Sequence, residues 1–310
     1  MDIIVQLFGV SLFAAGIRLS IPIIAAAIGE VFAERAGILN IGIEGMMLTG
    51  AFGAVIASYL SGNPWIGVLG GIFLGGLLGL IHAFASIHLR ISQIVSGIAI
   101  NIFALGATTT LARLIFNEQR VQVAAFKPLA VPVCSDIPII GPLFCQHAAL
   151  VYLVILIVII TNLVLFRTTL GLSIRSVGEN PKAAESAGIN VMLIKYACTV
   201  FGGMMAGLAG SFLSLVQLNL FVDNMSAGKG WIALTAVVFG RWGPIGTALG
   251  SLLFGMVEAI GLRVQALGLP IPHELLLMLP YLATFFVFIG LVGRTRPPAS
   301  LAKPYKRESL

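Results

Sequence analysis

The sequence predicts an all-α integral membrane protein built from about nine transmembrane helices. Three observations lead there. Residues of the hydrophobic class make up 58% of the 310 residues, and charged residues only 10%, against ~25% in an average soluble domain. The apolar residues fall in stretches near the ~20 residues that cross ~30 Å of hydrocarbon. The glycines recur at helical spacing inside those stretches rather than clustering in turns. No soluble fold of this length could hide so much apolar surface. The net charge of +6 forms no dense basic block before the last residues, which speaks against a nucleic-acid partner and fits a positive cytoplasmic side.

The predicted spans are 5–29, 41–60, 65–89, 91–116, 148–166, 195–220, 230–240, 245–264 and 274–292. The seventh is too short to cross alone, so flanking residues or a broken helix buried by protein must complete it. No cleavable leader is expected, because Asp2 stands where a basic residue would and no Ala-x-Ala site closes a short apolar core. The richest basic clusters are Arg167, Arg175, Lys182 and Lys195 in and beside 167–194, and Arg294, Arg296, Lys303, Lys306 and Arg307 in the tail. Both are assigned to the cytoplasm. With nine spans the N-terminus then lies outside, and Arg35, Arg90 and Arg241 fall inside; Arg120 and Lys127, in the external loop 117–147, run against the rule. Residues 1–294 read as one transmembrane domain and 295–310 as a basic cytoplasmic tail. The four spans before the fifth begin outside and the four after the basic loop begin inside, the arrangement of an inverted repeat.

Gly67, Gly71, Gly75 and Gly79 recur every four residues, as do the pairs Gly203/Gly207 and Gly246/Gly250. Such stripes let helix backbones approach where lipid gives no hydrophobic reason to associate.

The polar residues within spans need partners or a wet cavity. Arg18 lies midway along the first span, and Glu258 is a possible partner by depth. Asn40 stands where an N-cap of the second helix would. Glu44, one turn in, can stabilise the positive end of that helix or hold a mobile gate. Gln93 and Asn101 share a broad face of the fourth helix and suit either a solute path or interhelical hydrogen bonds. Asn40, Glu44, Gln93 and Asn101 are the substrate-path candidates; Gln217 and Asn219 are weaker ones. His82 and His88 have no metal-spaced partners and read as structural. No phosphate loop, nucleophile elbow or zinc helix occurs, so no metal or ATP is assigned to this chain. Cys198 reads as a small apolar residue, while Cys134 and Cys145 of the external loop can pair in an oxidising compartment.

The segment 171–191 carries the strongest motif. Asn180-Pro181 starts a short helix at Pro181–Ala187, and Gly188 ends it. The result is a polar knob in the largest cytoplasmic loop. Gly178, Asn180, Ala183-Ala184 and Gly188-Ile189-Asn190 resemble the coupling loop of permease subunits in ATP-binding-cassette importers, in the branch serving simple sugars, nucleosides and branched-chain amino acids. Ser186 departs from the general Glu-Ala-Ala-Gly pattern. The stretch Glu34 to Met47 looks like the first signature of the nucleoside and simple-sugar permeases, and Gly228 to Pro244 like the second.

The resemblance implies an inverted-repeat ABC importer permease in a bacterial inner membrane, with no bond chemistry of its own. It implies an ATPase partner carrying ATP and magnesium and docking on Arg175, Gly178, Glu179, Asn180, Ala183, Ala184, Glu185 and Gly188. It further implies a second, non-identical permease subunit and an external substrate-binding protein. Nucleosides are the first substrate expected and simple sugars the second. An ion-coupled secondary transporter is the rival class, for which Arg18 and Glu258 are thin provision.

Overall fold

In the computed structural model the described residues are 9–117, 121–130, 141–268, 296–305 and scattered positions of 272–285. Ten helices are defined among them: α1 Val10–Arg35, α2 Ile43–Ser61, α3 Pro64–Ala83, α4 Gln93–Phe116, α5 Ala149–Arg167, α6 Thr169–Glu179, α7 Pro181–Ser186, α8 Val191–Phe212, α9 Lys229–Phe239 and α10 Pro244–Ala266. α3 and α8 run on as π-helical turns at Phe84–His88 and Leu213–Leu218. One small antiparallel pair, Pro128–Ala130 with Gln146–Ala148, lies in the 117–147 region and its edge.

Seven helices among the described residues are long and apolar enough to cross a membrane. α9, at eleven residues, is about 16 Å long at 1.5 Å per residue and cannot cross alone, as expected. The ninth expected span, 274–292, lies largely outside the described residues.

The centre of the bundle is α1, α2, α3 and α8, and glycine makes it possible. A Cβ placed on Gly75 would run into the backbone of Gly203 and Gly207, and one on Gly203 into Gly79 at 2.8 Å. Gly50 of α2 meets Gly207 from the other side. Three backbones therefore touch near Gly207, where any side chain would force them apart. Gly246, as expected of its stripe, faces the end of α9 at Gly240. Outside this centre, α4 and α5 present Ile102, Phe103, Leu114, Ile159 and Leu163 outward, the composition of a lipid-facing surface.

The helices alternate in direction. The start of α1 lies beside the end of α10, where Arg263 donates to Ser11. The tail lies at the other end, against α6 and α7. The end carrying α6 and α7 also holds the 36–42 break, the end of α3, the start of α4 and the turn between α9 and α10.

Two helices differ from expectation for one reason. α1 continues to Arg35 rather than stopping near 29, and α8 begins at Val191, so Lys195 lies inside it. Charge at these positions reads as loop in sequence, yet Glu30, Glu34 and Lys195 are all buried at the bundle end.

Candidate functional site

Between α1 and α2 the chain is non-helical from 36 to 42 while still inside the bundle. The N–H groups of Ala36, Gly37 and Ile38 still reach carbonyls of the last turn of α1; beyond them the buried backbone has no helical partner, and side chains supply one. The Leu39 N–H donates to Gln93 Oε1 at 2.7 Å, and the Leu39 carbonyl faces His82 Nε2 at 3.2 Å. The Asn40 N–H donates to Glu30 Oε1 at 2.9 Å. Asn101 works at both ends of its amide: Nδ2 donates to the Ile41 carbonyl at 3.0 Å, and Oδ1 accepts from the Gly45 N–H at 2.8 Å. His82 Nδ1 lies 3.1 Å from Ser96 Oγ; facing a carbonyl with Nε2 sets the tautomer that carries its proton there. Gly97 lets the break approach, since a Cβ on it would lie 2.7 Å from the Gly42 nitrogen.

The expectation that Asn40 caps α2 fails. The cap position is Gly42, which has no side-chain cap. Asn40 is fully buried, directs Nδ2 to Met46 Sδ at 3.3 Å, and leaves Oδ1 without a hydrogen-bond partner. Two more residues of non-helical chain separate it from the helix, too far for the capping geometry.

The second part of the site is α9. The Glu44 carboxylate accepts from the Gly228 N–H at 2.8 Å and the Gly230 N–H at 2.7 Å. It therefore sits in the first turn of α2 and across the first turn of α9, where two sets of free N–H groups and two positive dipole ends favour an anion. A Cβ on Gly230 would lie 2.7 Å from the Glu44 Cα, and Gly228 has a φ of +85°; glycine is needed at both for these N–H groups to reach the carboxylate. Beside them Lys229 Nζ pairs with Glu258 Oε1 at 2.5 Å, with side chains 12% and 24% exposed.

Glu258 thus pairs with Lys229 and not with Arg18. Gly16 and Ser20 of α1 face Met256 and Gly255 of α10. Arg18, two residues from each, is turned by ~200° to the other side of the helix, and it is exposed there.

At its other end α9 meets the end of α1. Trp242 Nε1 donates to the Glu34 carboxylate. Arg35 Nε donates to the Trp242 carbonyl at 2.9 Å, and Nη2 to that of Arg241 at 3.2 Å. Arg241 and Trp242 both have positive φ, 52° and 56°, a left-handed pair that non-glycine residues adopt at a cost; these bonds help to hold it. The stretches 34–47 and 228–244, singled out separately in the sequence, are therefore joined at both ends of α9.

The third part is the polar end face. α6, unforeseen as a helix, is capped by Thr168 and runs to Glu179. Asn180 Oδ1 accepts from the Ala183 N–H at 3.1 Å and caps α7, which spans Pro181–Ser186. Gly188 has a φ of +83°, and Asn190 caps α8. Ala184 buries against Val177 and Val191, while Glu179, Asn180, Ala183 and Gly188 stay exposed. Gly178 is buried against the Arg35 carbonyl. The guanidinium of Arg175 lies 5.4 Å from the Phe166 ring centre and that of Arg35 5.9 Å from it. Lys195 is buried beneath this face, and its Nζ has no hydrogen-bond partner.

Sequence reasoning missed Glu30 and the tail residues Ser300 and Tyr305, and marked Glu34 and Trp242 only as members of the two signature stretches. Glu30 and Glu34 carried a signal, since carboxylates four residues apart share one helix face. Cys145 is disulfide-bonded and Cys198 is free and buried; Cys134 lies outside the described residues. Among those residues no cluster suited to a metal ion occurs.

Residues 12–289 match the family model described as branched-chain amino acid transport system / permease component. The chain is 38% identical to the guanosine ABC transporter permease protein NupQ of Bacillus subtilis over 296 residues, 92% of each chain. It is 36% identical to the nucleoside ABC transporter permease protein NupC of Lactococcus lactis over 290 residues, 90% of this chain and 91% of the other. It is 34% identical to the putative glucose ABC transporter permease protein TsgC13 of Haloferax volcanii over 330 aligned positions, 97% of this chain and 99% of the other. A polar end face and a buried broken-helix junction, in a chain matched almost throughout by such relatives, leave one conclusion: the protein belongs to the branched-chain amino acid transport system / permease component family and is a permease subunit of an ABC importer.

Proposed function

We propose that this permease carries nucleosides across a bacterial inner membrane, with simple sugars as the second class. The full-length likeness to guanosine and nucleoside permeases carries the first reading, and the likeness to a putative glucose permease the second. In this reading the bundle has nine spans in two oppositely running sets. The N-terminus is outside, and the α6–α7 face and the tail are in the cytoplasm.

A separate ATPase subunit, carrying ATP and magnesium, docks on the face formed by Arg175, Gly178, Glu179, Asn180, Ala183, Ala184, Glu185 and Gly188. The exposed rim of α7 around one buried residue, Ala184, supports this, since it offers a rigid polar knob to a soluble partner. A second, related but non-identical permease subunit completes the path, and an external binding protein delivers the solute. ATP-driven closure of the ATPase pair displaces α6 and α7. Gly178 packs on the last turn of α1, so the displacement reaches Glu34, Trp242 and α9. The permease supplies two states of differing access.

Of the path candidates, Gln93 and Asn101 hold the 36–42 backbone, and Asn40 belongs to it, its N–H held by Glu30, so a solute displacing them would unfasten the junction. We place Glu44, the latch between α2 and α9, beside the path, together with the Lys229–Glu258 pair that ties α9 to α10. Reconstituted transporter tested for uptake of radiolabelled guanosine checks the reading. ATP-dependent uptake, competed by other nucleosides and not by glucose, is expected. Uptake on an ion gradient without ATP would reject it.

A further inference from the structure

The tail at 296–305 was set apart in the sequence only by its charge. In the structure it folds back over the end face. The Ser300 N–H donates to the Gly178 carbonyl at 2.9 Å, and Ser300 Oγ donates to the same carbonyl at 2.6 Å. The Ala299 N–H reaches the Glu179 carboxylate at 3.4 Å. Tyr305 packs against the cluster of Val177, Ala184 and Val191, and its hydroxyl donates to the Glu185 carboxylate. Ser300 is only 7% exposed.

On its inner side Ser300 touches the start of the 36–42 break. A Cβ on Gly37 would lie 2.5 Å from Ser300 Oγ and 3.2 Å from Lys195 Nζ. One serine therefore contacts both α6 and the broken-helix junction. Tyr305, five residues on, reaches α7. Two grooves flank the tail: one of about 610 Å³ between it and the start of α7, one of about 240 Å³ between Tyr305 and the start of α8.

We propose that residues 298–305 are a strap that fastens α6 and α7 to the 36–42 junction, so that a push on α7 moves the junction with it. The strap also forms part of the surface the ATPase meets, through Lys303 and Tyr305 at the rims of the grooves. The proposal rests on the reading of α7 as the ATPase docking site. It adds a route of transmission besides the direct contact of Gly178 with α1. A hydrogen-bonded strap closes a loop between two elements that could otherwise shear, and coupling travels through such packed, bonded contacts.

The test uses the whole reconstituted transporter. In a truncation that ends at Arg296, amide exchange across 174–189 is expected to rise tenfold or more and ATP-driven uptake to fall by as much, while the subunit still inserts. Should the truncated chain fail to insert, Ser300→Ala decides: loss of one net hydrogen bond corresponds to about two- to tenfold in both readouts. The pair Glu185→Cys with Tyr305→Cys tests the motion. Whatever uptake the variant shows under reductant, oxidation is expected to leave it at that level, because strap and α7 move together. Unchanged exchange and uptake on truncation, or uptake lost on oxidation and restored by reductant, would overturn the strap. The exchange arm needs no ATPase, so it judges the strap even if wild-type uptake proves independent of ATP.

Discussion

The two polar regions of this permease are built on opposite rules. At the end face, the tail apart, side chains answer backbone groups a few residues away: Thr168 caps α6, Asn180 caps α7 and Asn190 caps α8. In the junction, side chains answer backbone groups far along the chain: Gln93 serves Leu39, Asn101 serves Ile41 and Gly45, Glu44 serves Gly228 and Gly230. The first kind of site is wet, so a lost bond is largely replaced by water. The second is buried, so a lost bond leaves a bare donor, which costs about 1–3 kcal/mol each. Energy for holding a conformation is therefore concentrated in the junction, while the end face is shaped for contact.

The sharpest way to break that contrast is Glu44→Ala. Two N–H groups of α9 lose their acceptor at once, for an expected cost of about 2–6 kcal/mol. Thermal unfolding of the purified transporter should fall by several degrees and uptake should fall a hundredfold or more. Unchanged stability would mean that α9 is not held through Glu44.

The same contrast explains what could be read in advance. Seven long helices, the short seventh span, the glycine contacts and the α7 knob each leave a local pattern: an apolar run, a four-residue repeat, an Asn-Pro followed by a glycine. In the junction, Gln93 and Asn101 stood out as amides suited to bonds between helices, but no local pattern told which backbone groups they serve. Asn40 looked like a cap because the next helix was near in sequence, but the group that matters to it is Glu30, one helix away. Arg18 and Glu258 matched in depth, yet depth says nothing of which side of the helix a residue faces. Lys195 and Glu34 look like loop charges until folding buries them. The tail was legible only as charge, because its hydrogen bonds to Gly178 and Glu185 span more than a hundred residues.

Lys229 and Glu258 come next. Lys229→Met strands a carboxylate that is three-quarters buried. Removing one partner of a fully buried pair costs about 3–5 kcal/mol; with this much exposure, about 2 kcal/mol is expected. The double replacement with Glu258→Leu should recover most of that, because both charges go together. If the double variant is stable but carries no solute, the pair serves the path. Full uptake in the double variant would confine the pair to a structural role.

Gly188→Glu probes the end face. Its φ of +83° costs an L-residue about 1–2 kcal/mol, and the new side chain stands on the surface assigned to the ATPase. Insertion and thermal stability should change little, while ATP hydrolysis no longer rises with solute-loaded binding protein. Intact coupling in this variant would place the docking surface elsewhere.

The smallest effect separates the two regions most cleanly. Asn180→Ala removes the α7 cap and leaves everything buried untouched. Cap removal costs about 1 kcal/mol in a helix that must hold itself. Here α7 has six residues and is pinned by Ala184 from below and Tyr305 from the side, so the bundle as a whole should not notice. The expected result is unchanged unfolding of the transporter, with amide exchange raised about fivefold at Lys182 to Ala184 alone and uptake reduced about twofold. A fall in global stability comparable to that of Glu44→Ala would show that the end face and the junction are one cooperative unit. The strap at Ser300 would then be the first contact to cut in order to part them.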